Sequence, residues 1–247
     1  MPALALLIGA RIASLNLCTD EYLLLLARPG EIASISFLSQ DPDESPLWQQ
    51  ARRYPANRGS IEDVLTRQPD ALLTMGGGGR ATRLLAARLG MRSVELASPN
   101  SLDDVATNLR TVAALLGDPR RADPWLDKLA QLQRNRPATS KDALWLSSGG
   151  QILAPASIGA KWLRLAGLSQ RALPGGRADL ETMLVRPPEV LVVSNYRSAQ
   201  VSSGRRWLDH PIVRHAKARR LTADGRRWTC LGPLMIGEIE RLRAAAQ

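Results

Sequence analysis

One stretch of this chain is written twice. Residues 62–73 read Glu-Asp-Val-Leu-Thr-Arg-Gln-Pro-Asp-Ala-Leu-Leu, and residues 181–192 read Glu-Thr-Met-Leu-Val-Arg-Pro-Pro-Glu-Val-Leu-Val. Glu62/Glu181, Leu65/Leu184, Arg67/Arg186, Pro69/Pro188, Asp70/Glu189 and Leu72/Leu191 all lie 119 residues apart. A fixed offset of this kind marks a duplicated structural unit. Each copy reads as a short helix, a proline that stops it, and an apolar strand. Ser60 is placed to cap the first helix, with Asp63 completing a capping box, and Asp179 to cap the second. A chain of 247 residues has room for two lobes of ordinary domain size.

Around the repeats, residues 12–17, 71–75, 94–96, 143–147 and 190–194 are short apolar runs, and helical patterns such as 80–89 and 102–116 separate them. Strands alternating with helices imply an α/β fold with mostly parallel sheets. The expected architecture is two Rossmann-like lobes, residues 11–117 and 138–247. Residues 118–137 form an amphipathic pattern, a helix of about 16–18 residues and roughly 25 Å. A helix is a stiffer connector than a Gly/Ser linker. The lobes are therefore expected to be joined by a single long rigid helix and to open and close through small angles.

Composition narrows the chemistry. The net charge is +10; residues 1–137 carry 16 basic and 15 acidic side chains, and residues 138–247 carry 17 and 8. The excess peaks at residues 205–227, which suits an acidic ligand, an anionic lipid or a nucleic acid. Only four of the 33 basic residues are Lys, so an Arg-biased composition explains the same excess. No nucleic-acid motif or aromatic platform accompanies it, and no nucleic-acid partner is expected. Cys18 and Cys230 are too few for a disulfide scaffold. They fit buried thiols, two ligands for a soft metal, or one disulfide in an oxidising compartment. His210 and His215 are the only histidines, and no carboxylate pair or nucleophile with a base stands out. A two-lobed α/β enzyme, glycosyltransferase-like or metallocluster-binding, is the alternative class. No stretch reaches the ~20 apolar residues of a membrane span. The first ten residues, MPALALLIGA, look like the tail of a secretory signal whose charged start is missing, or like a buried first strand.

Several segments, taken in order, resemble one family: the helix-linked periplasmic binding proteins for cobalamin, heme and ferric siderophores. Residues 11–21 resemble its first strand and cleft loop. Residues 57–73 resemble its helix ending in Pro-Asp before a strand. Ala166-Gly-Leu and residues 181–193 fall where the second half expects them, and Trp228-Thr-Cys-Leu-Gly-Pro resembles the last cleft loop. The resemblance spans residues 11–243. It implies a non-enzymatic, monomeric periplasmic protein with no cofactor of its own. Such a protein holds a chelated-metal compound, of ferric siderophore or cobalamin type, between its lobes. It delivers that compound to an ABC importer, a permease dimer with its ATPase. In the family one Glu on each lobe meets Arg residues of the permease, and the matching positions are Glu62 and Glu181. Two like acids at equivalent points of a repeat suit a dimeric partner with two equivalent basic sites. A first-turn Glu also gains about 0.3–1 kcal/mol from the helix dipole.

Ligands of open α/β sheets bind beyond the carboxyl ends of the strands. That rule selects Cys18, Thr19 and Asp20 after the first strand, Asn57 and Arg58 before the Glu62 helix, and Met75, Gly76 and Gly77 after the next strand. In the second lobe it selects Tyr196, Arg197, Trp228 and Cys230. Tyr196 and Trp228 offer flat apolar faces; Arg58 and Arg197 offer paired hydrogen bonds to carboxylates. Asn57 offers an amide. The cobalamin branch uses aromatic residues in its first lobe, and Ala56 and Met75 stand in the matching places here. That departure and the basic second lobe tilt the expected ligand toward an anionic chelate such as a ferric siderophore. The Gly76–Gly79 run lacks the Lys-Ser/Thr of a phosphate loop.

Overall fold

The computed structural model describes residues 10–76, 80–197 and 202–247. The chain divides into two compact units, one of residues up to 99 with 103–126, the other of residues 100–102 with 127–247.

In the first unit five strands, β1 (Ile12–Ser14), β2 (Ile32–Ser36), β3 (Ala56–Asn57), β4 (Ala71–Met75) and β5 (Arg92–Leu96), form a sheet of order β3-β2-β1-β4-β5. Every pairing is parallel. The associated helices are α1 (Leu17–Leu26), α2 (Trp48–Ala51), α3 (Ile61–Leu65), α4 (Arg80–Arg88) and α5 (Leu102–Leu115). Parallel strands covered on both faces read as continuous apolar runs, and Ile12, Ala13, Ile35, Leu72 and Leu73 are all fully buried.

α6 (Asp123–Arg134) carries the chain from the first unit into the second. It is shorter than the helix expected over 118–137. Asp118 accepts from the Arg120 N–H and caps a 3-10 turn at Pro119–Ala122. At the other end Pro137 disfavours helical backbone at Arg136.

The second unit holds β6 (Lys141–Leu146), β7 (Leu168–Gln170), β8 (Val190–Ser194) and β9 (Arg219–Ala223) in the order β7-β6-β8-β9, again all parallel. Its helices are α7 (Ile158–Leu165), α8 (Leu180–Val185), α9 (Ser203–Leu208), α10 (Pro211–Arg214), α11 (Arg227–Cys230) and α12 (Met235–Ala246). Leu144, Leu146, Met183, Leu191, Val193 and Leu208 pack into one core cluster. No helix among the described residues is long and apolar enough to cross a membrane.

The repeat is a structural one. β4 and β8 coincide under the 119-residue offset, and α3 and α8 precede them. Ser60 accepts from the Asp63 N–H at 3.3 Å, and Asp179 from the Thr182 N–H at 2.6 Å. The capping box is displaced, because the Asp63 carboxylate accepts from the Arg58 N–H at 2.9 Å rather than from its own cap residue. The recurring acid after the proline has a defined job. Asp70 accepts from the Arg11 N–H, and Glu189 from the Asp142 N–H, each at 2.7 Å. In both units this bond ties the entry of the central strand, β1 or β6, to its neighbour, β4 or β8.

Two expectations change. β2, β3, β7 and β9 were not legible as strands: they are short, or broken by Ser, Gln and Arg. The run read as a first strand through residue 17 stops at Ser14. The Asn16 side chain accepts from the Thr19 N–H at 3.0 Å and starts α1 instead.

Candidate functional site

Each sheet has a point where the strand order reverses, between β1 and β4 in the first unit and between β6 and β8 in the second. Crevices open at the carboxyl ends of strands flanking such points. In the second unit a cavity of about 380 Å³ lies there. Trp145 of β6, Ser147 and Ser148 beyond it, Ser194 ending β8, Tyr196 and Arg197 after it, Arg205 of α9 and Trp228 of α11 line it. The Trp145 and Trp228 rings are 5.2 Å apart at their centroids and tilted by 37°. The Arg197 guanidinium lies 5.4 Å from the Tyr196 ring centroid. Both indole nitrogens are enclosed and have no acceptor among the described residues. Gly225 lets the chain pass this close, since a Cβ there would collide with the Tyr196 Cβ and the Ser194 hydroxyl. The Asn195 side chain fixes the approach by accepting from the Gly225 N–H at 3.0 Å.

Of the residues expected from sequence, Tyr196, Arg197 and Trp228 meet in this cavity. Trp145 and Arg205 were missed. Trp145, the penultimate residue of β6, reads in sequence as one more apolar residue of a strand. Cys230 is buried at the end of α11 and does not line the cavity.

In the first unit a second cavity, of about 530 Å³, is lined by Phe37, Ala56, Asn57, Arg58 and Asp63. Phe37, the only phenylalanine of the chain, is 52% exposed. It had no place in the sequence reading. Arg58 is exposed at the same rim. Asn57 lines this cavity as a buried residue whose amide is already engaged within the fold. Its Nδ2 donates to the Ser14 carbonyl at 2.8 Å and the Ser34 hydroxyl at 3.0 Å, while its Oδ1 accepts from the Gly59 N–H at 2.9 Å. These bonds brace β1 and β2 against the turn at Gly59, whose φ of +86° and closeness to the Leu15 carbonyl leave no room for a side chain.

Thr19 and Asp20 also need correcting, since both are fully buried in the first turn of α1 rather than on an open loop. The Thr19 hydroxyl bonds Ser14 and Asn16. Asp20 Oδ2 accepts from the Ser36 N–H at 3.0 Å and the Ser39 hydroxyl at 2.6 Å, and Oδ1 has no partner among the described residues. Cys18 is half-buried in the same turn. Met75 is half-buried and Gly76, at φ +81°, is exposed beside a separate groove near Arg83 and Glu95. Gly77 lies outside the described residues.

Burial pushes the Asp20 carboxyl up to about 8, against the opposing pull of the Ser14 and Ser39 hydroxyls and the Ser36 N–H. The folded protein thus keeps a proton there that the unfolded chain releases near pH 4. The associated stability is complete below about pH 4 and is lost as pH rises toward 8. Urea midpoints should fall between pH 5 and pH 9, and Asp20→Asn should flatten that fall. An unchanged pH dependence in the variant contradicts the assignment.

The comparisons with known proteins agree with this architecture. No protein-family model matches the sequence, and no curated protein matches it. Solved structures do. A periplasmic heme-binding protein HutB of Vibrio cholerae superposes with a TM-score of 0.73 at 19% identity, over 95% of this chain and 98% of that one. A periplasmic heme-binding protein from Pseudomonas aeruginosa gives 0.67 at 23% identity, over 96% and 92%. The periplasmic vitamin B12-binding protein BtuF of Vibrio cholerae gives 0.65 at 19% identity, over 96% of both chains. The chain has the fold of the helix-linked periplasmic binding proteins. Each of these three superposed structures is that of a periplasmic binding protein.

Within this periplasmic-binding fold, Glu62 and Glu181 are exposed in the first turns of α3 and α8, one in each unit. The basic stretch is laced with internal ion pairs: Arg205 with Asp209, and Arg226 and Arg227 with Asp224. Part of its charge is thereby spent locally. Of this stretch Arg205 lines the cavity, and burial together with the neighbouring Arg205 and Arg214 holds the Arg220 guanidinium below its usual pKa.

Proposed function

We propose that this protein is the periplasmic substrate-binding component of an ABC importer for a chelated-metal compound. One observation carries the reading: a cavity at the strand-order reversal of the second unit that combines Trp145, Trp228 and Tyr196 with Arg197 and Arg205. Aromatic faces suit a flat ring system or catechol groups, and guanidinium groups suit carboxylates or other anionic oxygens. A buried donor without an acceptor costs about 1–3 kcal/mol, and two indole N–H groups are in that state here. A ligand bearing acceptor oxygens removes such a cost once small side-chain shifts admit it. Heme, cobalamin and ferric siderophores are the ligands to consider, and heme and vitamin B12 are those of the superposed proteins. The arginines favour an anionic chelate among them, heme with its carboxylates or a ferric siderophore.

The chain breaks no bond in this scheme. It holds the ligand, and its ligand-bound form is favoured at a permease dimer whose ATPase supplies the energy. Glu62 and Glu181 are the contacts proposed for that permease. Direct titration of the purified protein with heme, cobalamin and ferric siderophores tests the reading. Saturable binding of one of them supports it, and a folded protein that binds none refutes it.

A further inference from the structure

Large apolar side chains at the surface are few, and their positions here are not scattered. Six are exposed among the described residues, and three of them, Leu65, Leu184 and Val185, belong to α3 and α8. Leu65 and Leu184 are 39% and 68% exposed and occupy equivalent positions of the repeat. Each lies three residues after the exposed glutamate of its own helix. Residues three apart share one helix face, so both units present the same pair, a carboxylate beside a leucine. The other faces are accounted for. Ile61 and Val64 in α3 and Met183 in α8 point into the cores.

A lone exposed leucine needs no explanation. The same leucine kept beside the same acid in two 12-residue copies that differ at seven of their other ten positions does need one. Core packing cannot supply it, because neither leucine is in a core. We infer that Leu65 and Leu184 are the apolar half of a docking contact. Its occupant is a protein with two equivalent sites, each pairing a cation with an apolar pocket. The inference rests on the reading of Glu62 and Glu181 as permease contacts and adds to it. Charge pairs at an interface rim chiefly set encounter and orientation, whereas desolvated apolar anchors chiefly slow dissociation. The glutamates would steer the protein onto the permease and the leucines would hold it there.

The test uses the protein with its own permease–ATPase complex in proteoliposomes. Leu65→Ser with Leu184→Ser should weaken binding to the complex roughly tenfold, mainly through faster dissociation. Thermal stability and affinity for the transported ligand should be unchanged, and Leu65→Met with Leu184→Met should restore most of the binding. Wild-type dissociation from the serine variant overturns the inference. Glu62→Arg with Glu181→Arg separates the two levels. If that variant fails to dock while the serine variant docks normally, only the leucine role is wrong. If the arginine variant also docks normally, the docking reading itself is wrong.

Discussion

Replacing Trp228 with alanine should lower affinity for the transported ligand by at least about thirtyfold, or about 2 kcal/mol, the scale of a buried aromatic anchor. The ring is buried, forms one wall of the second-unit cavity and packs against Trp145 at 5.2 Å. Its loss removes both the surface a planar ligand would rest on and the support that holds Trp145. Truncating a buried Trp also costs about 3–5 kcal/mol of stability, so two controls separate binding from folding. Trp228→Phe keeps a flat apolar face and should retain most of the affinity. Trp48→Ala acts in the first unit, where Trp48 stacks with Arg52 at 4.6 Å, and should leave affinity unchanged. Equilibrium titration of the three variants is the measurement. Wild-type affinity in a folded Trp228→Ala protein would remove the cavity from the account.

Reversing both proposed docking acids should abolish uptake without touching ligand affinity. Removing a charge from an interface pair costs about 2–5 kcal/mol, and reversal adds like-charge repulsion. Glu62→Arg with Glu181→Arg is therefore expected to weaken docking at least about a thousandfold. Both acids are exposed, so the fold should tolerate the change. Transport of labelled ligand into cells or proteoliposomes reads the effect. Loss of ligand binding in this variant would show that these residues serve the ligand rather than the permease.

The fold was legible because the chain repeats. The helix, proline, acid and strand of residues 62–73 return at 181–192, and that alone implied two α/β units. The structure adds why the acid returns: Asp70 and Glu189 each tie in the entry of a central strand, at Arg11 just before β1 and at Asp142 at the start of β6. Sequence patterns cannot show such a bond, because Arg11 lies 59 residues from Asp70.

The site was less legible, for a physical reason. Polar residues after a strand look alike whether they face a ligand or brace the turn. Thr19, Asp20 and Asn57 proved to be braces, with side chains consumed by β1, β2 and the turn that follows Ser36. Asn16 was the available clue, since an Asn three residues before Thr19 is a helix cap. Trp145 and Phe37 erred the other way. A strand Trp and a lone Phe read as core filling, and only the sheet topology places Trp145 at the mouth of a cavity and leaves Phe37 exposed beside Arg58.

The central claim is that the aromatic and arginine cavity binds a chelated metal. The most direct test is a tryptophan fluorescence titration of the purified protein with heme, cobalamin and a set of ferric siderophores. Two of the six tryptophans line the cavity, so a ligand there should quench emission saturably. The account predicts sub-micromolar quenching by one of these ligands, an anionic one, that is weakened in Trp228→Ala and by Arg205→Gln. A folded protein whose emission responds to none of them would contradict the claim.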